Sequence, residues 1–326
     1  MIEEIMSQLY RIEIPLPNSP LKYINSYLIK SGKRCLIIDT GMNRDECREA
    51  MTSSIQKLGV DLGQTDFYIT HVHSDHVGLA GNMVTPTSKT YLNWKEIPVF
   101  DQVYTDIYRT SLFQSHSPHG FPKKTLEEAL RAMPGFKFSP AKGVTFSGVE
   151  DGTSIETGSY TFQCVETPGH SMGHMCLYEP KRKLLISGDH ILFDITPHIG
   201  LSLGLDNPLG CYLSSLERID KLDIKLILPG HRRCGSDHHK RIEEIKAHHK
   251  LRLTEIVQSL SHGEQTAYEI TSQLTWDLNY PSWKHFPSLQ KYLAVDETIA
   301  HLKYLEDLGQ VQEWESGSRI LFSPVY

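Results

Sequence analysis

The chain has 326 residues, of which 39% are hydrophobic, so it is long enough for a large domain with a smaller companion and too long for a single small module. Its 33 basic and 39 acidic side chains leave a formal charge of −6, which excludes a molecule that attracts polyanions over its whole surface. No apolar run approaches the roughly 18 to 20 residues of a membrane span, and residues 1–4 lack the features of a secretory signal, so we expect a cytoplasmic protein with no membrane partner.

The first third of the chain predicts short strands separated by turn residues. Apolar or alternating runs cover residues 10–15, 23–30 and 34–39. A helical period follows over 47–58, and a short buried strand at 66–70 leads directly into His71. This order of strand, helix and strand predicts an α/β layer.

The middle of the chain has a different character. Residues 95–140 carry Tyr104, Tyr108, Phe113 and a helical run at 126–133, and they predict a helical insertion that covers a substrate cleft. Beyond the insertion, we expect strands at 144–146, 160–166, 175–179 and 183–187, a helix at 208–220 and a strand at 224–228.

The last quarter predicts a second domain. A long helix over 237–261 leaves the core, and it is followed by helices at 266–274 and 289–308 and by strands at 311–314 and 319–323. Helix, helix, strand, turn, strand is the order of a winged helix.

One short motif indicates metal chemistry. The segment HxHxDH at 71–76 places His71, His73, Asp75 and His76 directly after a predicted strand. In extended backbone His71 and His73 point to the same side and can chelate one ion, and if the chain turns at Ser74, Asp75 and His76 face a second ion. This mixture of imidazole and carboxylate suits Zn²⁺, with Mn²⁺ or Fe²⁺ as alternatives.

Three further candidates lie at other predicted strand ends. His170, Asp189 and His231 each end an apolar run and each follow a glycine that lets the chain turn sharply. Singly, each is more often a turn residue than a ligand, but together and in this order they indicate ligands. The six cysteines are scattered without a CxxC pair, which predicts free thiols.

The motif, followed by Gly-His, Asp and Gly-His, resembles the metallo-β-lactamase fold superfamily over about residues 8–250. The resemblance implies a four-layer αββα sandwich in which Asp39 supports the ligands, although Asp39 is equally typical of a helix cap. It implies seven ligands, with one ion held by His71, His73 and His170, a second held by Asp75, His76 and His231, and Asp189 bridging both. His174 belongs to the same stretch of the pattern and is not one of its ligands.

The C-terminal part resembles a narrower group. Residues 263–270 and 298–305 are similar to the winged-helix extension of the β-lactamase-like protein 2 group, within the glyoxalase II-like proteins. The chain departs from the glyoxalase II pattern through its insertion at 95–140 and through the absence of recognisable glutathione-binding basic residues near the C-terminus. We therefore expect a hydrolase domain over 1–250 and a winged-helix-like domain over 251–326.

These residues predict a dinuclear zinc-dependent hydrolase. Two neighbouring cations would share and activate a bridging hydroxide, Asp75 would aim it, and the substrate would be a small ester, thioester or lactone. A metal-dependent endoribonuclease is the alternative, with the winged helix holding single-stranded RNA, but residues 240–326 carry nine basic against twelve acidic side chains. A non-enzymatic, metal-stabilised binding or regulatory protein, which forms a homodimer through the winged helix, is a third hypothesis.

Four other histidines invite interpretation. His190 and His198 follow Asp189 and could reach substrate, although loop positions are the commoner role for them. His238 and His249 lie close to three helical turns apart, so they share one face of the long helix, and we expect both to be solvated.

Overall fold

The structure is a computed structural model that describes residues 1–277 and 280–325. The strands are β1 (Ile2–Met6), β2 (Leu9–Pro15), β3 (Tyr23–Ser31), β4 (Arg34–Ile38), β5 (Thr65–Tyr68), β6 (Thr90–Asn93), β7 (Phe146–Val149), β8 (Ser154–Thr157), β9 (Tyr160–Glu166), β10 (Met175–Glu179), β11 (Leu184–Gly188), β12 (Leu226–Pro229), β13 (Val311–Ser316) and β14 (Arg319–Pro324). The α-helices are α1 (Asp45–Leu58), α2 (Ser74–Val77), α3 (Ala80–Met83), α4 (Glu96–Val103), α5 (Asp106–His116), α6 (Lys123–Ala132), α7 (Pro134–Lys137), α8 (Pro208–Asp220), α9 (His238–Leu260), α10 (Ala267–Thr271) and α11 (Ser288–Asp307). Short 3₁₀ segments cover Leu62–Gln64, Ser117–His119 and Trp283–His285.

Two sheets form the centre of the fold. The first has seven strands in the order β1 to β7, antiparallel from β1 to β4 and parallel from β4 to β7. The second has five strands in the order β12-β11-β10-β9-β8, in which only the β11–β12 pair is parallel. The carboxyl ends of β5, β9, β11 and β12 lead into the predicted metal ligands, and β4 ends directly before Asp39.

Burial along the strands explains the layering. In β9, Tyr160, Phe162 and Cys164 alternate toward an apolar core that they share with Tyr27 of the first sheet, while Val165 packs with α8 and α9 on the opposite face. Strands β10 and β11 are buried on both faces, which is why they consist of near-continuous apolar residues. Helix α1 covers the outer face of the first sheet. The layers are therefore helix, sheet, sheet and helix, as predicted.

The insertion is helical, as predicted, and begins at Glu96. Helices α4 to α7 fill residues 96–137. The apolar face of α6, with Leu126 and Leu130, packs against Ile299 and Leu302 of α11 in one cluster of buried side chains. We call this cluster the shared core, because the insertion and the C-terminal segment both contribute to it.

The C-terminal segment has the predicted order of helix, helix, strand and strand. A capping box closes the start of α10, where Thr266 and Glu269 satisfy each other's backbone N–H groups. Strands β13 and β14 form a hairpin, and Gln265 adds a bridge to Phe322. The assignment of residues 251–326 as a winged-helix-like domain remains a prediction. In the described part of the chain, no helix has the length and apolar character needed to cross a membrane.

Several sequence predictions differ from the structure. Strands β1, β6 and β8 were not predicted, since each is short and lies beside residues that do not alternate clearly. The expected strand at 144–146 lies instead at Phe146–Val149. The second-domain helix expected at 266–274 ends at Thr271. All six cysteines are free thiols, as predicted.

Candidate metal centre

The strand ends bring the seven predicted site residues to one place. His71 and His73 follow β5, and Asp75 and His76 lie in α2. His170 lies between β9 and β10, Asp189 follows β11, and His231 follows β12. These residues form three sets, and within each set the donor atoms lie within 4.8 Å of one another. The sets are His71, His73 and His170; Asp75, His76 and His231; and His71, His76 and Asp189.

Asp189 lies between two histidine groups, one formed by His71, His73 and His170 and the other by Asp75, His76 and His231. Its Oδ1 is 3.5 Å from Nε2 of His76, and its Oδ2 is 3.6 Å from Nε2 of His170 and 3.4 Å from Nε2 of His231. Oδ2 of Asp75 is also 3.4 Å from Nε2 of His231. One carboxylate therefore faces donors of both groups, which is the geometry a bridging ligand requires.

The donor atoms of this site fit a metal. Nε2 of His76, His170 and His231, together with Oδ1 of Asp189, are buried and have no hydrogen-bond partner within the described residues. A buried polar atom left without a partner costs roughly 1–3 kcal/mol, so four of them converging on one place call for a ligand that satisfies them. A divalent cation with nitrogen and oxygen ligands does so.

The rings are held by their other nitrogen. Nδ1 of His170 lies 2.7 Å from the carbonyl oxygen of His198, and Nδ1 of His231 lies 2.8 Å from the carbonyl oxygen of Tyr23. Because a carbonyl only accepts hydrogen bonds, each Nδ1 carries a proton, and Nε2 is the ring atom that faces the site and can bind a metal.

Asp39 holds the third ring in the same way. Its Oδ2 is 2.7 Å from Nδ1 of His76, and its two oxygens accept hydrogen bonds from the backbone N–H and the hydroxyl of Thr70, each at 2.9 Å. Asp39 has a φ of 56°, in the left-handed region that Asp tolerates better than most residues. It therefore orients a candidate ligand, as the resemblance implies, and does not cap a helix.

Charge is unevenly distributed across the site. Burial and the neighbouring imidazoles of His76 and His73 lower the pKa of His71 well below its usual value. Burial also lowers the pKa of His231, but the carboxylates of Asp189 and Asp75 outweigh it and raise that pKa to about 10. Burial therefore favours a neutral imidazole at His71, whereas the two carboxylates favour a charged imidazole at His231.

Backbone crowding explains the glycine before His231. A Cβ added at Gly230 would lie 2.5 Å from Oδ1 of Asp189 and 2.9 Å from Cε1 of His76. Any side chain at this position would displace the carboxylate that joins the two histidine groups.

Two supporting residues lie outside the predicted ligand set. Glu96, the first residue of α4, is fully buried and accepts hydrogen bonds from the backbone N–H groups of Val72, at 2.9 Å, and Gly173, at 2.7 Å. It ties the loop that carries His71 to the loop that carries His170. Burial raises its pKa. No local pattern distinguishes this glutamate from the exposed acidic residues usual in a first helical turn.

His174 is the second of these. Its Nε2 accepts a hydrogen bond from the backbone N–H of Asp189 at 3.2 Å, and its Nδ1 lies 2.8 Å from the hydroxyl of Thr167. It is absent from the three donor groups and instead supports the backbone of the bridging carboxylate.

The four other histidines have structural surroundings. His190 is buried beside His174 and Tyr212, and burial lowers its pKa to about 3. His198 is partly exposed and pairs with carboxylates of α11. The expectation that His238 and His249 are solvated is wrong, because they are only 3% and 1% exposed. The side chain of His249 packs against the α11 residue His301.

Known proteins resemble this chain over most of its length. The family model described as the metallo-beta-lactamase superfamily matches residues 20–231. The probable metallo-hydrolase YqjP of Bacillus subtilis is 25% identical over 91% of this chain and 92% of its own length, and the beta-lactamase-like protein 2 homolog of Caenorhabditis elegans is 26% identical over 91% and 86%.

A shorter match and a solved structure extend the comparison. An atrochrysone carboxyl ACP thioesterase of Aspergillus fumigatus is 23% identical over 66% of this chain and 39% of its own length. The crystal structure of a metallo-beta-lactamase family protein from Thermus thermophilus superposes with a TM-score of 0.83 at 26% identity, over 99% of this chain and 100% of the other. The chain belongs to the metallo-beta-lactamase superfamily and is a metal-dependent hydrolase.

Proposed function

We propose that the chain is a dinuclear zinc hydrolase that acts on a small ester, thioester or lactone. One ion would be held by His71, His73 and His170, a second by Asp75, His76 and His231, and Asp189 would bridge both. The position of Asp189 carries the proposal, since its two oxygens face Nε2 atoms of both groups at 3.4–3.6 Å. The imidazole-rich donor set favours Zn²⁺, and Mn²⁺ or Fe²⁺ would also fit.

When bound, two zinc ions would lower the pKa of a shared water and polarise the substrate's carbonyl oxygen. Asp75, whose Oδ2 lies 3.4 Å from Nε2 of His231, would accept a hydrogen bond from the attacking water and aim it at the carbonyl carbon. The carbonyl oxygens that bind Nδ1 of His170 and His231 keep those rings from rotating during the reaction. Asp75 is therefore the proposed catalytic residue of this chain.

A small carbonyl substrate fits the surroundings of the site better than RNA does. The insertion lies beside the motif, where the hydroxyl of Tyr104 donates to the carbonyl of Val72. The thioesterase among the relatives supports carbonyl chemistry. Three of the five basic side chains in residues 251–326 already pair with carboxylates, since Arg252 pairs with Glu255, Lys303 with Glu313 and Arg319 with Glu269. Paired cations attract phosphates weakly, which argues against the endoribonuclease.

We also propose a division into a hydrolase domain over 1–250 and a winged-helix-like domain over 251–326. The second domain would shape the substrate cleft, and a homodimer formed through it is the alternative use. Light scattering on the purified protein distinguishes these, because only the homodimer doubles the molar mass. A cytoplasmic location remains a prediction.

Metal analysis of zinc-loaded protein tests the centre. We expect about two ions per chain, and Asp189→Ala should lower both zinc content and turnover because the bridge fixes both groups. A separate cluster of Asp220, His238 and His239 could add a further ion, so His239→Gln serves as the matched control and should retain two. One ion or none in the wild type would contradict the dinuclear proposal.

A substrate screen tests the reaction. Esters, thioesters, lactones and single-stranded RNA should be compared with zinc-loaded wild type and with Asp75→Asn. We expect turnover of a carbonyl substrate that falls sharply in Asp75→Asn, because the amide aims the water less well. Cleavage of RNA, with no turnover of any carbonyl substrate, would favour the endoribonuclease over the ester, thioester or lactone hydrolase.

A further inference from the structure

A buried carboxylate of the C-terminal helix α11 holds three separate segments together. Asp296 is 6% exposed. Its Oδ1 lies 3.0 Å from Nε2 of His116 in the insertion and accepts a hydrogen bond from the backbone N–H of Leu201 at 3.2 Å. Its Oδ2 lies 3.2 Å from Nε2 of His198. A buried charge with this many donors is strongly fixed in place, because each donor offsets part of its desolvation.

The loop that meets Asp296 is shaped for it. A Cβ added at Gly200 would lie 1.7 Å from Oδ2 of Asp296 and 2.7 Å from Nε2 of His198. The backbone at this position therefore lies so close to the carboxylate that only glycine leaves room. Glu297 adds a second carboxylate, whose Oε2 is 3.9 Å from Nδ1 of His198.

The same loop contacts the candidate metal centre. The backbone carbonyl of His198 accepts the hydrogen bond from Nδ1 of His170, at 2.7 Å. His198 thus contacts Asp296 of α11 through its side chain and binds the His170 ring through its backbone carbonyl. The contacts form a continuous path from Asp296 to Nε2 of His170.

We propose that Asp296 is a positioning residue that makes the C-terminal helix part of the active site. It fixes the loop 198–201, so that the His198 carbonyl keeps the His170 ring turned with Nε2 toward the metal centre. Through His116 it also couples helix α5 of the insertion to the same loop. This inference rests on the proposed role of His170 as a metal ligand.

Two variants test the path. Asp296→Asn replaces one acceptor oxygen by a donor, so the side chain can no longer accept from both the Leu201 N–H and His198. Gly200→Ala pushes the loop away from Asp296 without changing any polar group. Thr298→Val is the matched control, since Thr298 is fully buried on the same helix and donates its hydroxyl hydrogen bond to Ala294 within that helix.

The readout is zinc affinity, measured by competition with a chromophoric chelator, together with the melting temperature of the metal-free protein. We expect Asp296→Asn and Gly200→Ala to weaken one of the two zinc sites by roughly 10- to 100-fold, which is the usual effect of disturbing a residue behind a ligand. Thr298→Val should lower the melting temperature and leave both affinities unchanged.

Three outcomes are decisive. Unchanged zinc affinity in Asp296→Asn, with melting lowered as in Thr298→Val, would reduce Asp296 to a packing group and overturn the inference. If Asp296→Asn does not fold, unchanged affinity in Gly200→Ala overturns it equally. Failure of the wild type to bind two ions would instead contradict the proposed function, and that result is read before any variant is compared.

Discussion

Replacing Asp39 by Asn should impair zinc binding far more than it impairs folding. Asn has nearly the same volume and also tolerates the left-handed backbone that Asp39 adopts, so the change adds no backbone strain. Its effect falls on hydrogen bonds. The carboxylate receives the N–H of Thr70 on Oδ1 and faces Nδ1 of His76 with Oδ2. An amide has one acceptor oxygen, so one of these two donors must face an NH₂ group.

The magnitude follows from that mismatch. If the NH₂ group faces His76, the ring must carry its proton on Nε2, which is the atom proposed to bind metal. Metal binding at Nε2 then requires either a change of tautomer or a rotation of the ring, and both cost free energy. Loss of a partner behind a metal-binding histidine weakens metal affinity by roughly 10- to 100-fold, equivalent to about 1.4–2.8 kcal/mol.

The assay compares two variants of the same sheet. Zinc affinity is measured by chelator competition for Asp39→Asn and for Asp66→Asn. Asp66 lies in β5, accepts two hydrogen bonds from Arg34, at 2.9 and 2.6 Å, and one from the backbone of Lys89 at 2.8 Å. Asp66→Asn therefore controls for the general effect of losing a hydrogen-bonded carboxylate in the same sheet. Equal zinc affinity in the two variants would refute the reasoning.

Three other outcomes are expected. Truncation after Ser261 removes the partners of α6 in the shared core, so the product should sediment with insoluble material, and a soluble, fully zinc-loaded fragment would contradict this. Burial lowers the pKa of His249 to about 3 and that of His301 to about 4, whereas unfolded histidines titrate near 6.5. The unfolded chain thus binds more protons, stability falls as pH drops from about 6.5 toward 4, and each histidine costs about 2 kcal/mol at pH 5. Urea unfolding across this range should show a shallower decline for His249→Gln than for the wild type. Tyr104→Phe loses the hydrogen bond to Val72 and should lower the free energy of unfolding by about 1 kcal/mol while zinc content stays at the wild-type value.

The residues at strand ends were the predictable part of the site. The motif at 71–76 follows an apolar run, and His170, Asp189 and His231 each follow a glycine at the end of another. Local pattern thus singled out seven candidates, the family resemblance implied that they are ligands, and the fold brings them together. Parallel strands bring their carboxyl ends to one edge, which is why residues far apart in the chain meet there.

Residues that act across the chain could not be predicted in this way. Glu96 and Asp296 are buried carboxylates whose partners lie 24 to 180 positions away, and nothing beside them in the sequence marks them. The burial of His249 has the same origin. The sequence of α9 shows a polar helix face at this position, and only the packing of α11 against that face buries it. The burial of Glu96, Asp296 and His249 therefore results from long-range packing, which a single sequence does not show.

The shared core also limits how this protein can be recombined. Helix α6 of the insertion and helix α11 of the C-terminal segment each present an apolar face that is covered by the other. A chimera that takes only the insertion from a relative would set unrelated side chains against Ile299 and Leu302, and one that takes only the tail would do the same to Leu126 and Leu130. Exchange of the two segments as a pair preserves the interface, so we expect functional chimeras of this enzyme to inherit both from one parent.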